Sequence, residues 1–393
     1  MLEKSYLCKN KKSIRTAIFC DRPMHVFNAL NYAYHNLNDS LGKADLFIIA
    51  AFKNAEEIAA KIDKENIFAH VFILREKENR QTISKWQHEF NNLKRFFRLQ
   101  DSIQIFLQEE LSNFTVTPGR ETIDWYYDIV CAASWGMKVW QELVVALRGK
   151  NRIFFIDDGF LSYRASNILN LRADTFEQGI RKLFRSGRFG FRIERLYLNN
   201  PEMCRCSSKK IFALPKFEST DLQFRQIEER VFGKIEILAP VTFLGQMIKE
   251  PVLANVPALY QELFTILTKT FSKDKFSVRL HPRQTPKEFL DTEQVQLKYG
   301  QTLWEINCRE VLKDTNILIG FSSTALVTPK LFLGQEPTVI CLYRLLGWKD
   351  KQRLQDTEDF FNAVRSKYKD KSRFYIVDSI EQFKAIIENT KLV

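Results

Sequence analysis

Three short polar stretches, each set at the end of an apolar run, hold the residue types in this chain that can do chemistry. In FSVRLHPR (276–283), alternation at Phe276, Val278 and Leu280 predicts a strand that stops at His281. Pro282 cannot donate to a sheet ladder and disfavours helix in the residue before it. RIFFI (152–156) runs into Asp157, Asp158 and Gly159, and NILIGF (316–321) runs into Ser322, Ser323 and Thr324. An imidazole, a carboxylate pair and a hydroxyl cluster thus all fall at the carboxyl ends of predicted strands, the edge at which open α/β sheets bind ligands.

Each stretch has its own chemistry and its own plain structural alternative. His281, between Arg279 and Arg283, is useful beside a phosphate, where it can donate a hydrogen bond or a proton to a departing oxygen. Arg283 can add charge stabilisation there, while Arg279 alternates with Leu280 and is placed to point elsewhere. The hydroxyls of Ser322, Ser323 and Thr324, ahead of a helix expected over 325–333, make either an anion site or a simple helix cap. Adjacent carboxylates in a glycine-terminated turn serve as a general base, a metal site or a turn cap, with one of the two facing a ligand. Base, phosphate site and acid together fit group transfer from a nucleotide donor to a hydroxyl.

The elements that must position these groups alternate strand and helix. Strands are expected at 16–20, 44–51, 68–74, 103–107, 152–156, 196–198 and 211–214, and helices at 24–37, 54–64, 81–99, 138–147 and 222–232. The first strand opens a Rossmann-like unit through the turn Asp21-Arg22-Pro23, without the glycine-rich fingerprint of a dinucleotide site. The alternation restarts with an expected strand at 234–240. A helix at 257–271, the histidine and serine strands, two further strands at 338–342 and 374–377 and a closing helix at 380–390 follow. The expected fold class is α/β, with two doubly wound domains, 1–233 and 234–393, facing each other across a cleft. His70 and His88 read as structural or surface histidines. The aromatic run Trp125-Tyr126-Tyr127 reads as core or as flat faces for a sugar.

A chain of 393 residues, 45% hydrophobic and 27% charged, has the length and composition of two soluble globular domains. The net charge of +12 favours polyanionic neighbours: nucleic acid, an anionic membrane face or a phosphorylated substrate. No zinc-finger, helix-turn-helix or RNP pattern is present, so nucleic acid is not an expected partner. Seven scattered cysteines suit a reducing cytosol, and the close pair Cys204 and Cys206 lacks a second cluster with which to hold zinc. No run reaches ~18 apolar residues and the N-terminal stretch has no signal-peptide core, so a cytoplasmic protein is expected. The arginine-rich, aromatic-studded stretch 179–195 leaves two readings open, a contact with lipid headgroups on the inner membrane face or a solvated basic surface.

The order Asp-Asp-Gly, His-Pro, Ser-Ser resembles the bacterial sialyltransferases, and within them glycosyltransferase family 52, the lipooligosaccharide and capsule sialyltransferases. The matching pieces are IDDG (156–159), FLGQ (243–246), LHPR (280–283) and GFSSTAL (320–326), with a looser match at CDRP (20–23). The resemblance implies a GT-B fold and an inverting transfer from CMP-sialic acid to a terminal galactose of a surface glycan, with no metal or other cofactor. It implies that His281 assists departure of CMP and that Ser322 and Ser323 hold its phosphate, with Gly159, Pro282, Arg283 and Thr324 also at the donor. Asp157 or Asp158 would deprotonate the acceptor hydroxyl, Asp157 being the expected base. A homodimer is a further implication. Two alternatives stand beside this reading: another GT-B transferase with a CMP-linked donor such as CMP-Kdo, and a non-catalytic polyanion-binding protein.

Overall fold

The computed structural model describes residues 14–37, 42–77, 114–119, 123, 127–133, 152–159, 162–163, 193–204, 208–216, 221–248, 252–281, 284, 295–298, 300 and 302–390. The chain forms two compact units, Met1–Pro215 and Lys216–Val393. Both are α/β with largely parallel sheets, the fold class expected of the sequence.

In the first unit the strands are β1 (Thr16–Cys20), β2 (Ala44–Ile49), β3 (His70–Glu76), β4 (Phe114–Thr117), β5 (Ile129–Ala132), β6 (Arg152–Ile156), β7 (Ile193–Leu198) and β8 (Ile211–Ala213). They lie in the order β4-β3-β2-β1-β5-β6-β7-β8. Only β4, paired with β3, runs antiparallel among these. TAIFC and ADLFII are buried along their whole length, as strands covered on both faces must be. Helix α1 (Pro23–Asn36) begins on a proline, whose missing N–H costs nothing at that position, and buries Val26, Phe27, Ala29, Leu30 and Ala33. Helix α2 (Ala55–Lys64) carries Glu56 and Glu57 in its first turn and Lys61 and Lys64 in its last, matching the helix dipole.

In the second unit the elements are α3 (Leu222–Phe232), β9 (Val241–Leu244), α4 (Val256–Thr270), β10 (Phe276–Arg279), β11 (Gln296–Lys298), α5 (Trp304–Val311), β12 (Ile317–Gly320), α6 (Thr328–Leu333), β13 (Thr338–Cys341), α7 (Lys351–Ser366), β14 (Phe374–Ile376) and α8 (Ile380–Asn389). The sheet order β11-β10-β9-β12-β13-β14, all parallel, reads 3-2-1-4-5-6 in chain order, the Rossmann arrangement. Helix α4, capped by the Asn255 side chain on the Ala258 N–H, buries Tyr260, Leu263, Phe264 and Leu267 against Val241, Phe243, Phe276 and Phe321. Phe243 meets the Tyr260, Phe264 and Phe321 rings near edge-on, a geometry that adds to simple burial.

Three expectations change. Residues 234–239 form no strand; the ladder starts after Pro240, at VTFL. Alternation in KIEIL misled here: Ile235 and Ile237 face solvent, while Glu236 is held by the Asn307 side chain and by Arg279. The units divide at Pro215/Lys216 rather than at 233, because α3 belongs to the second unit through the Arg309–Glu228 and Arg225–Glu310 ion pairs to α5. The helix expected over 325–333 is instead a 3-10 turn, Thr324–Leu326, followed by the short α6. Pro329 has no N–H to continue a helix from 325, so the chain restarts with proline in the first turn of α6.

Candidate functional site

The Rossmann order places a topological switch point between β9 and β12, where successive connections leave in opposite directions and open a crevice at the carboxyl ends. Gln246 follows β9 and Ser322 follows β12, and the two bond across that point. The Ser322 N–H donates to Gln246 Oε1 and Gln246 Nε2 donates to Ser322 Oγ, both at 2.9 Å. On the other side of β9, the sheet ladder continues past β10 to Leu280, whose N–H meets the Lys298 carbonyl, and His281 follows. Gln284, buried, fastens this turn to the end of β9. Its Oε1 accepts the His281 N–H at 3.1 Å and its Nε2 donates to the Gln246 carbonyl at 3.0 Å. That carbonyl also accepts the Tyr260 hydroxyl. Gly245 leaves room for this clamp, since a Cβ on it would lie 2.2 Å from Gln284 Oε1 and push the amide aside.

The sequence-predicted residues of this edge sort by what they touch. Ser322 is half-buried and faces the switch point. The Ser323 hydroxyl accepts the Ala325 N–H at 3.3 Å, so it caps the 3-10 turn. The Thr324 carbonyl accepts the Thr328 hydroxyl. Arg279 turns away from His281, as its alternation with Leu280 implied. It pairs with Glu236, donates to the Thr302 carbonyl and lies 5.4 Å from the Trp304 ring centroid. Pro282 and Arg283 lie outside the described residues.

In the first unit, the carboxyl ends of β1 and β6 hold a second cluster. Asp157 is fully buried and saturated. Oδ1 accepts the Gly159 N–H at 2.8 Å. Oδ2 accepts the Tyr163 hydroxyl at 2.7 Å and the backbone and side-chain N–H groups of Asn199 at 3.0 and 3.1 Å. Burial pushes its pKa up and these donors offset only part of the rise. Gly159, expected at the donor, uses a φ of 86° to make the turn, and its N–H is already taken by Asp157.

Asp158 is arranged otherwise. Its Oδ1 faces His25 Nε2 at 2.6 Å and accepts from Arg22 Nη1 at 3.1 Å, while its buried Oδ2 has no hydrogen-bond partner among the described residues. His25, at zero exposure, also places Nδ1 2.6 Å from Asp21 Oδ1. Both ring contacts are hydrogen bonds at once when an imidazolium donates from each nitrogen, or when one carboxyl is protonated, so the trio holds a proton. Burial works against charge on His25, but bonds and charges from Asp158 and Asp21 outweigh it and raise its pKa. Asp21 moves the other way: burial raises its pKa, and the His25 bond and charge bring it below the ordinary value. Sequence reading missed His25. Its spacing from Asp21, i to i+4 across the start of a helix, was readable; its contact with a residue 133 positions later was not.

The remaining motif readings resolve in part. His70 bonds Asp45 with its side chain about half exposed, as a structural histidine. Tyr127 is core, its hydroxyl on Asp45 and its ring against Phe47. His88, Trp125, Tyr126, Cys206 and residues 179–192 lie outside the described residues. Among the described residues no group of three His, Cys, Asp or Glu side chains is arranged to hold a metal ion, and no helix is long and apolar enough to cross a membrane.

No family model and no curated protein matches the sequence. Among solved structures, the chain is similar to TcCGT1 in complex with UDP, at a TM-score of 0.49 and 8% identity over 96% of this chain and 89% of that one. It is similar to a sialyltransferase from Photobacterium damsela, at 0.47 and 8% over 93% and 82%. The calicheamicin glycosyltransferase CalG4 gives 0.46 and 8% over 96% and 88%. Identities this low leave donor and acceptor open.

Proposed function

We propose that the protein is a GT-B glycosyltransferase, and specifically an inverting sialyltransferase that moves sialic acid from CMP-sialic acid to a terminal galactose of a lipooligosaccharide or capsule glycan. The observation that carries this reading is the clamp at the switch point of the second unit, where Gln246 and Gln284 hold the serine and histidine turns to one strand end. The resemblance to family 52 requires those two turns at one donor phosphate. In this reading Ser322 donates to the phosphate, with Ser323 shaping the turn, and Thr324, Pro282 and Arg283 complete the donor side.

The unpartnered Oδ2 favours Asp158 as the base in this reading over Asp157, the base the resemblance suggested, whose oxygens already accept four bonds. A galactose hydroxyl gives its proton to Asp158 as its oxygen attacks the anomeric carbon from the face opposite the nucleotide. The bond from that carbon to the phosphate oxygen breaks, its electron pair stays on CMP, and His281 supplies a proton or hydrogen bond to the leaving oxygen. Configuration inverts because a single displacement occurs. No metal enters any step of the proposal. A peripheral place on the inner membrane face and a homodimer accompany this reading as proposals.

Incubation with CMP-sialic acid and a lactose-type acceptor, with and without EDTA, tests the assignment by mass spectrometry. A sialylated product and CMP release that both survive EDTA are expected. Transfer from CMP-Kdo but not from CMP-sialic acid would replace the sugar and keep the class. No transfer from either, with tight salt-dependent DNA binding instead, would replace the class itself.

A further inference from the structure

The bonds between Gln246 and Ser322 fix the direction of a hydroxyl proton. The Ser322 N–H can only donate, so the Gln246 atom that meets it must be the acceptor Oε1. The other end of the same amide is then Nε2, which can only donate, and it meets Ser322 Oγ at 2.9 Å. Oγ therefore accepts from Gln246, and its own proton has no protein partner among the described residues. Side-chain bonds from the Tyr260 hydroxyl and Gln284 Nε2 to the Gln246 backbone carbonyl fix the main chain that carries the glutamine.

We infer that Gln246 is a positioning residue that commits the Ser322 hydroxyl to donate outward, so that this turn favours a ligand oxygen that accepts, most strongly a phosphate monoester anion, over a group that only donates. The inference rests on the proposed donor site but not on the identity of the sugar or on the reaction. It assigns a role to the glutamine of FLGQ that neither the strand pattern nor the motif order supplies. A serine without this constraint would accept from a ligand N–H as readily as donate to a ligand oxygen, because its proton could point either way.

Glu in place of Gln246 reverses the polarity with little change of shape. One carboxylate oxygen still accepts the Ser322 N–H, but the other now draws the hydroxyl proton inward. Calorimetric titration of CMP and of cytidine against wild type, Gln246→Glu, Ser322→Ala and the double variant reads the effect. Q246E should bind CMP about 10–100-fold more weakly, the scale of a hydrogen bond to a charged group, with cytidine affinity unchanged. The double variant should be no weaker than Q246E, since both changes remove the same donated proton. Multiplying losses in the double variant, or an equal loss for cytidine, would overturn the inference by showing that charge or general disruption is responsible. Gln246→Met, which is uncharged, covers the case of a misfolded Q246E: its loss for CMP should vanish in the S322A background, and persistence there overturns the inference. Wild type that binds CMP but transfers no sugar would remove the reaction and leave the cycle as the judge. Wild type that binds neither CMP, UMP nor inorganic phosphate overturns the inference outright.

Discussion

At the scale of single residues, two adjacent aspartates have opposite surroundings. Asp157 accepts four hydrogen bonds and ties β6 to the start of the segment after β7, so its role is to hold the turn. Asp158 keeps one buried oxygen without a partner among the described residues. Asp157→Ala is expected to destabilise the first unit by about 3 kcal/mol, the scale of stranding donors that served a buried charge, measured by urea unfolding. Asp158→Asn, which removes one of the two carboxylates that favour charge on His25, should cost stability mainly at low pH, and it should lower turnover by at least ~10²-fold, as should His281→Ala. A stable, inactive D157A beside an active D158N would return the base to Asp157.

At the scale of elements, the clamp depends on close approach of two strand ends. Gly245 lies beneath Gln284, and a methyl there must displace the amide that holds the His281 N–H. Gly245→Ala is expected to raise the KM for the nucleotide donor roughly 10-fold or more, the equivalent of losing about one well-placed hydrogen bond, with a smaller effect on the KM for the acceptor. An unchanged donor KM in a folded G245A would show that the histidine turn keeps its place without Gln284. Strands β1, β6, α3 and the histidine and serine turns were legible because apolar runs ending at proline, glycine or clustered hydroxyls have few other ways to satisfy their backbone. KIEIL misled because exposed alternation and buried alternation look the same in a string. The Asn307 amide supplies Glu236 with the backbone partners that a neighbouring strand would have supplied.

At the scale of the molecule, the proton held by Asp21, His25 and Asp158 links folding to pH. The folded pKa of His25 is raised, so its contribution is fully present below its ordinary value of about 6.5 and is lost as pH rises through the folded value. That of Asp21 is lowered, so its contribution is present above about 3.9 and is lost as pH falls through the depressed folded value. Stability of the first unit should therefore fall as pH climbs above about 6.5, read as the urea midpoint across that range, and Asp21→Asn should flatten the decline. A midpoint in wild type that holds or rises over the same interval would show that the trio binds no extra proton.

The sequence by itself determined the α/β class, the strands that carry the three motifs and the edge on which they fall, because each depends on neighbouring residues and on the period of the strand. Tertiary structure decided which of these polar groups have their hydrogen bonds made within the protein. The bonds from Asn199 to Asp157, from Asp158 to His25, from Ser322 to Gln246 and from Gln284 to Gln246 all join distant parts of a fold. A carboxylate or hydroxyl reads the same in a string whether its lone pairs and protons are taken or available. Only the packing of parallel strand ends against one another settles that.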